Sequence, residues 1–391
     1  MRFHSYLNSV VQILKPYRGQ EPFASFLKKY FSANKKYGSK DRKQISHLCY
    51  CYFRLGKSLM HISVEERILN GLFLCSIEPN EILGELKPEL NNEVKKTFGE
   101  KYSILNVPDS VLNVFPWKEE LSEGLDHKKF CESFFTQPDL FLRIRLGNEN
   151  TVREKLLKAG IDFKEMNPAC LALPNASKIE SVIDVDREAV IQDYNSQQVG
   201  SYFKSAISKL VPIATGTKVN AWDCCAGSGG KSLLLNDINP GIDLTVSDVR
   251  EAILINLKKR FAKAGIKKYE SFVADLARNQ KTVTNSYDLI ICDAPCTGSG
   301  TWSRTPEQLY FFDQKKVERY AELQKKIVSN TIPHLKENGC FVYITCSVFK
   351  KENEEVVDFI KQRFNLKPVS VDLLKGYYKK ADSMFVAILT V

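Results

Sequence analysis

Long hydrophobic runs are missing from this 391-residue chain. None approaches the ~18 apolar residues of a membrane span, so no membrane partner is expected. The start, Met1 to Asn8, lacks the continuous apolar core of a secretion signal, and a cytoplasmic location is expected. The eleven cysteines follow no repeating framework, which suits a reducing compartment where thiols stay free. Cys292 and Cys296 have no second close pair at zinc-site spacing, so no metal is expected. Internal repeats and low-complexity tracts are absent too. What remains is an ordinary globular composition, 43% hydrophobic and 26% charged, long enough for two or three domains.

Acidic residues are scarce at one end. Residues 1 to 60 hold twelve Lys or Arg against Glu21 and Asp41 alone. That segment therefore carries a charge equal to the whole chain's +10. Such a concentration is the electrostatic footprint of a polyanion partner, although a solvated basic face would look the same. Lys35, Lys36, Lys40, Arg42 and Lys43 are its densest part and the candidate polyanion contacts.

Residues 1 to about 125 show no strand-like alternation and read as helical. Leu7, Val10, Val11 and Leu14 keep helical spacing, as do Phe23, Phe26, Leu27 and Phe31. Gly38-Ser39-Lys40-Asp41 offers a break and a cap before a helix from Arg42 to Leu55. Shorter helices are expected over 64–75 and 79–98. Residues 126–187 differ: 140–146 alternate like a strand, 150–159 read as a helix, and strand-like pieces follow near Ala172 and Val182. From about 188 the pattern is strand and helix in turn, which predicts a parallel sheet covered on both faces. Expected strands are 218–223, 242–247, 271–274, 287–292, 340–345 and 384–390, with long helices over 251–264 and 314–335.

The chemistry lies at the strand ends. A glycine-rich turn, Cys225-Ala226-Gly227-Ser228-Gly229-Gly230-Lys231, follows the first strand. Glycine lets a backbone turn sharply and approach a ligand closely. Alone such a turn is a common strand–helix connection. Here three successive strands end in acid, at Asp223, Asp248 and Asp275, which makes a nucleotide-like crevice. A carboxylate at Asp248 can accept both ribose hydroxyls, and Asp275 suits an adenine amino group. The fourth strand ends in Asp293-Ala294-Pro295-Cys296, the fifth in Thr345-Cys346-Ser347. Free cysteines are usually buried and inert, yet these two should reach the same crevice from neighbouring strands. A thiol there favours attack on a ring carbon, the chemistry needed to methylate carbon 5 of a pyrimidine.

With Gln192-Asp193-Tyr194-Asn195-Ser196-Gln197, Gly298, Gly300, Arg304, Pro306 and Glu352-Asn353-Glu354, these motifs run in order over about 190 to 391. The set resembles the bacterial RNA cytosine-C5 methyltransferases of the RsmB type, related to the nucleolar-protein and Sun-domain families. Tyr37 to Arg42 resembles, more weakly, the NusB-like RNA-binding domain of that family. The resemblance implies an α/β fold: a Rossmann-like methyltransferase domain over 188–391, an all-helical NusB-like domain over 1–125 and a small α/β linker domain over 126–187. It implies S-adenosylmethionine held by Cys225 to Lys231, Asp248, Asp275 and Asp293. Cys346 would be the nucleophile, Cys296 would assist product release, Asp293 would contact the cytosine edge and Lys231 would lie near the base. Arg304 joins the expected RNA contacts. The partner would be RNA, with 16S ribosomal RNA first and transfer RNA as the alternative, and the protein a monomer.

The chain departs from the family in three places: Ser228 stands where proline is common, Val348 to Lys351 replace a small-residue and proline segment, and Arg145 replaces an asparagine. A DNA cytosine-C5 methyltransferase is the nearest rival enzyme, but it uses the Pro-Cys cysteine and needs no second one, so Cys346 favours RNA. From another class, the chain could be a non-catalytic RNA-binding assembly factor; intact Cys296, Cys346 and Asp293 argue against it.

Overall fold

A computed structural model describes residues 2–105, 111–210, 218–278 and 285–391. They fall into two units of internal contact. One comprises Met1–Leu121, Asp126–Gln137 and Thr301–Asp313; the other comprises Ser122–Leu125, Pro138–Gly300 and Gln314–Val391. Among the described residues, no helix is long and apolar enough to cross a membrane.

The first unit is helical, as its 3.6-residue periodicity predicts. Its longer helices are Arg2–Leu14, Phe23–Ala33, Ser39–Arg54 and Val64–Cys75. The Asp41 carboxylate accepts from the Gly38 N–H at 3.1 Å, which caps the third helix three residues before its expected start. The expected helix over 79–98 is broken into Glu81–Leu86 and Pro88–Asn91, because Pro88 can begin a helical turn but not continue one. Residues 301–313 lie within the 188–391 stretch of sequence yet pack in this unit. Phe23 N–H donates to Glu307 at 3.2 Å, the Tyr52 and Tyr310 hydroxyls meet at 2.9 Å, and the Arg67 guanidinium sits over both tyrosine rings. Arg304 is half-buried in that segment rather than on an open face. Lys35, Lys36, Lys40 and Lys43 are exposed; Arg42 is half-buried, its Nε donating to the Tyr37 carbonyl at 2.9 Å.

The second unit holds two sheets. The smaller contains β1 (Leu140–Ile144), β2 (Lys164–Asn167), β3 (Cys170–Leu173) and β4 (Ala189–Ile191) in antiparallel order β2-β3-β1-β4. No strand forms at Val182. That segment is a turn whose Ile179 and Ile183 are buried while Val182 packs partly against the same core, so its apolar content reflects packing and not pairing. Arg145 is structural. It pairs with Asp237 at 2.7 Å, and Arg143 reaches the same carboxylate at 2.5 Å, while Arg145 also donates to the Asp186 and Ala264 carbonyls.

The larger sheet contains β5 (Asn220–Asp223), β6 (Asp243–Asp248), β7 (Glu270–Val273), β8 (Tyr287–Asp293), β9 (Leu335–Thr345), β10 (Lys367–Leu374) and β11 (Met384–Thr390). Their order is β10-β11-β9-β8-β5-β6-β7. β9, β8, β5, β6 and β7 are parallel, but β11 pairs antiparallel with β9 and β10 antiparallel with β11, so the sheet is mixed and not wholly parallel. β10 was not expected. It is an edge strand, and its Val369 and Val371 face solvent, so it lacks the buried pattern that marks the others. Helices Glu251–Ala264 and Lys315–Thr331 fall where expected. Strand order reverses between β5 and β8, and such a switch point opens a crevice at the carboxyl ends of the strands.

Candidate active site

The glycine-rich turn leaves β5 and enters helix Gly230–Ile238. Gly229 has φ +83°, and a Cβ there would sit 2.7 Å from the Phe261 ring, so neither conformation nor space admits a side chain. Gly227 N–H donates to the Asp248 carboxylate at 3.0 Å, tying this turn to the tip of β6. Asp248 also accepts from Arg250 N–H at 2.9 Å and from its guanidinium at 3.1 Å. Ser228, the departure from proline, lies 3.4 Å from Arg260 through its hydroxyl.

Beside these tips lies a cavity of about 400 Å³. Cys225, Asp248, Asp275, Asp293, Pro295 and Cys296 line it, so the sequence-predicted acids and one motif cysteine share one space. Tyr320, Leu323 and Ile327 from helix Lys315–Thr331 complete an apolar wall that motif reading did not find. The sequence placed them only on the helix expected over 314–335. The residues fit a nucleoside: carboxylates can accept hydroxyl and amino donors, and the apolar wall can cover a flat base. Ala226 to Gly230, Lys231 and Cys346 are not part of the lining. The turn residues act on the cavity through the backbone, by holding Asp248.

Lys231 is buried, and its ammonium donates to Ser196 Oγ at 2.8 Å and to Asp293 at 3.2 Å. Gln192 extends this network, donating to Ser196 Oγ at 3.2 Å and to the Gly230 carbonyl at 3.3 Å. The Gln192–Gln197 motif thus serves to seat Lys231.

The two motif cysteines meet. Their Sγ atoms lie 3.3 Å apart, and neither is in a disulfide. The Cys296 thiol is held well above its usual range, by its hydrogen bond to Cys346 and then by burial. A thiol so held keeps its proton and can donate it toward its neighbour. Gly300 brings the loops together. Its N–H donates to the Cys346 carbonyl at 2.9 Å, its own carbonyl accepts from Ser383 at 2.9 Å, and a Cβ would sit 2.1 Å from the Ser383 oxygen. The tight approach at Gly300 is therefore to the protein's own backbone.

Behind the thiols lies Glu352, whose role sequence reasoning did not reach. It is fully buried and accepts from Thr297 N–H at 2.8 Å, Thr297 Oγ1 at 2.5 Å, Ser347 Oγ at 2.6 Å and Gln324 Nε2 at 3.1 Å. Thr297 follows Cys296 and Ser347 follows Cys346, so one carboxylate fastens both cysteine loops. Burial pushes its pKa up, and the donated hydrogen bonds pull the other way. Gln324 also donates to the Pro295 carbonyl at 2.9 Å. Asn353 supports the same region, donating to the Ser347 carbonyl at 3.0 Å. Val348 and Phe349, the unusual residues after the second motif, are buried.

A seven-stranded, largely parallel sheet with an acid-lined crevice at its switch point defines a Rossmann-like α/β domain. Residues 214–386 match the family model described as 16S rRNA methyltransferase RsmB/F. The ribosomal RNA small subunit methyltransferase B of Enterobacter sp. (strain 638) is 27% identical over 242 residues, which cover 59% of this chain and 53% of that protein. Its counterpart from Citrobacter koseri is 30% identical over 204 residues, covering 49% and 44%. The chain thus spans about half the length of the curated relatives it matches. Two solved structures share the fold. PH0851 is 16% identical with a TM-score of 0.68, covering 98% of both chains, and NSun6 from Pyrococcus horikoshii, solved with SFG, is 14% identical with a TM-score of 0.56, covering 68% and 94%.

Proposed function

We propose that this protein is an S-adenosylmethionine-dependent RNA cytosine-C5 methyltransferase acting on 16S ribosomal RNA. One observation carries the reading: two free thiols 3.3 Å apart at the tips of adjacent parallel strands, beside an acid-lined cavity. The matched family and the names of the curated relatives support ribosomal RNA as the substrate class. The exposed lysines at 35, 36, 40 and 43 support a phosphate-backbone contact. In this reading Asp248 and Asp275 hold the cofactor's ribose and base, with the apolar wall of Leu323 and Ile327 beside them. S-adenosylmethionine supplies the methyl group as an electrophilic sulfonium.

The chain's own residues prepare the cytosine, which must leave its stack to enter the site. Cytosine C5 is a weak nucleophile. Addition of the Cys346 thiolate to C6 breaks the C5–C6 double bond and makes C5 electron-rich. Asp293, fixed by Lys231, holds the N3 edge by accepting from the adjacent N4 amine, and the Lys231 ammonium offsets the negative charge that develops on the ring. After C5 is methylated, loss of its proton to a base restores the double bond and expels the Cys346 thiolate. The short distance from Cys296 to Cys346 supports Cys296 as the residue assisting that release.

The test uses the full chain, S-adenosylmethionine and labelled, unmodified 16S RNA on a denaturing gel. Cys346→Ala should abolish methyl transfer and the covalent adduct. Cys296→Ala should still add and methylate but accumulate a protein–RNA adduct. An adduct that survives Cys346→Ala and vanishes in Cys296→Ala would reverse the assignment and restore the DNA-type mechanism.

A further inference from the structure

A second cysteine cluster lies at the switch point, formed by residues the mechanism does not use as nucleophiles. Cys224 and Cys225 directly follow β5, and Cys292 is the penultimate residue of β8. The two strands are parallel neighbours, with Asp223 opposite Ile291, and Cys224 N–H donates to the Ile291 carbonyl at 2.9 Å. That register gathers the three Sγ atoms to within 4.8 Å of one another, and all three thiols are free. Linear spacing hid the cluster, because it is assembled from two strands and matches no zinc-binding pattern in sequence.

We infer that Cys224, Cys225 and Cys292 form a binding site for a thiophilic divalent cation of the Zn²⁺ or Cd²⁺ type. Three thiolates about 2.3 Å from such an ion are ~3.8 Å apart, within the spacing found here. Cys224 and Cys292 are buried, whereas Cys225 is part-exposed and lines the cavity. The cavity thus gives the ion an entry path and leaves a fourth position for water, the arrangement of an open three-ligand site. Soft sulfur ligands select soft cations over Mg²⁺ or Ca²⁺.

The surroundings favour positive charge. Asp223 is fully buried, its Oδ2 accepts from Ser232 Oγ at 2.5 Å, and its Oδ1 has no hydrogen-bond partner among the described residues. Asp223 and Asp293 both act on Cys292, and Asp248 acts on Cys225. On binding, each ligating thiol releases its proton to solvent, and the cation's two charges offset two of the three thiolate charges.

The test needs neither RNA nor activity. The reduced, full-length chain, freed of metal by a chelator, is titrated with Cd²⁺ and followed by the ultraviolet charge-transfer band of thiolate–cadmium bonds. The band should saturate at one equivalent in the wild type. It should be lost in Cys292→Ser and in Cys225→Ser, and kept in the Cys296→Ser/Cys346→Ser double variant. Should Cys292→Ser fail to fold by circular dichroism, Cys225→Ser decides, since its side chain is part-exposed. No band in the wild type overturns the site. A band that survives Cys225→Ser but disappears in the double variant overturns it as well, by assigning the ion to the Cys296–Cys346 pair.

Discussion

The two sides of the crevice are held by different means. On the cysteine side, after β8 and β9, a buried carboxylate draws in four donors from two loops and the helix behind them. On the acidic side, after β6 and β7, the Asp248 and Asp275 carboxylates stand in the cavity wall, supported by the amides of Gly227, Arg250 and Ala277 and by two exposed arginines. The contrast fits the tasks proposed for them. A thiol that must add to a ring atom needs its position fixed closely, because small misplacements cost rate steeply. A carboxylate that binds hydroxyl groups needs to remain open to them, and it can be supported more loosely.

The comparison is broken most severely by changing Glu352. In Glu352→Gln an amide donor faces four groups that all donate, so at least one buried hydrogen bond is lost. Bonds to charged groups contribute roughly 1.5–3 kcal/mol, which corresponds to a fall in kcat of about 10- to 100-fold. Methyl-donor affinity, measured by calorimetry, should stay at the wild-type value, because Glu352 does not line the cavity. Glu352 is a positioning residue in this account. A variant with normal kcat, or one that loses cofactor affinity in proportion to rate, would show that the brace does not act through the thiols.

Asp248→Ala tests the opposite side. It removes the proposed ribose acceptor and frees the Gly227 amide. Affinity for the methyl donor should fall at least ~10-fold on the same charged hydrogen-bond scale. The adduct formed by Cys296→Ala with RNA should still assemble when the donor is saturating. Unchanged donor affinity would remove Asp248 from the site.

Legibility in the sequence followed how local each feature is. Asp293 to Cys296 and Thr345 to Ser347 could be read because each is a strand followed by its own tip, and a strand announces itself within six residues. The pairing of Lys231 with Asp293 was legible only as proximity to one crevice, since the contact spans 62 residues. Glu352 was visible as part of a motif but not as a brace, because its partners come from three separate segments. The same reason hid the Cys224–Cys225–Cys292 cluster. The mixed character of the sheet escaped notice because β10 lies exposed at its edge. The grouping of 301–313 with the helical unit left no local sign, as a short turn of aromatic residues reads alike wherever it packs.

Asp223 lies where the two sides join, and it offers the smallest but most direct physical test. Burial raises its pKa to about 7, from an ordinary value of roughly 4. The folded protein therefore binds this proton more tightly than the unfolded chain does. Its contribution to stability is fully present below about pH 4 and is lost as pH rises toward 7, where a buried charge must be carried. Asparagine keeps an oxygen for the Ser232 hydroxyl and carries no charge. Thermal unfolding of wild type and Asp223→Asn should thus differ in slope: the variant's melting temperature should gain on the wild type by a few degrees between pH 4 and 7, with no change in the difference below pH 4. Parallel curves across that range would mean that Asp223 is ionised in the folded protein throughout, and that Lys231 or a cation bound at the neighbouring thiols compensates its charge.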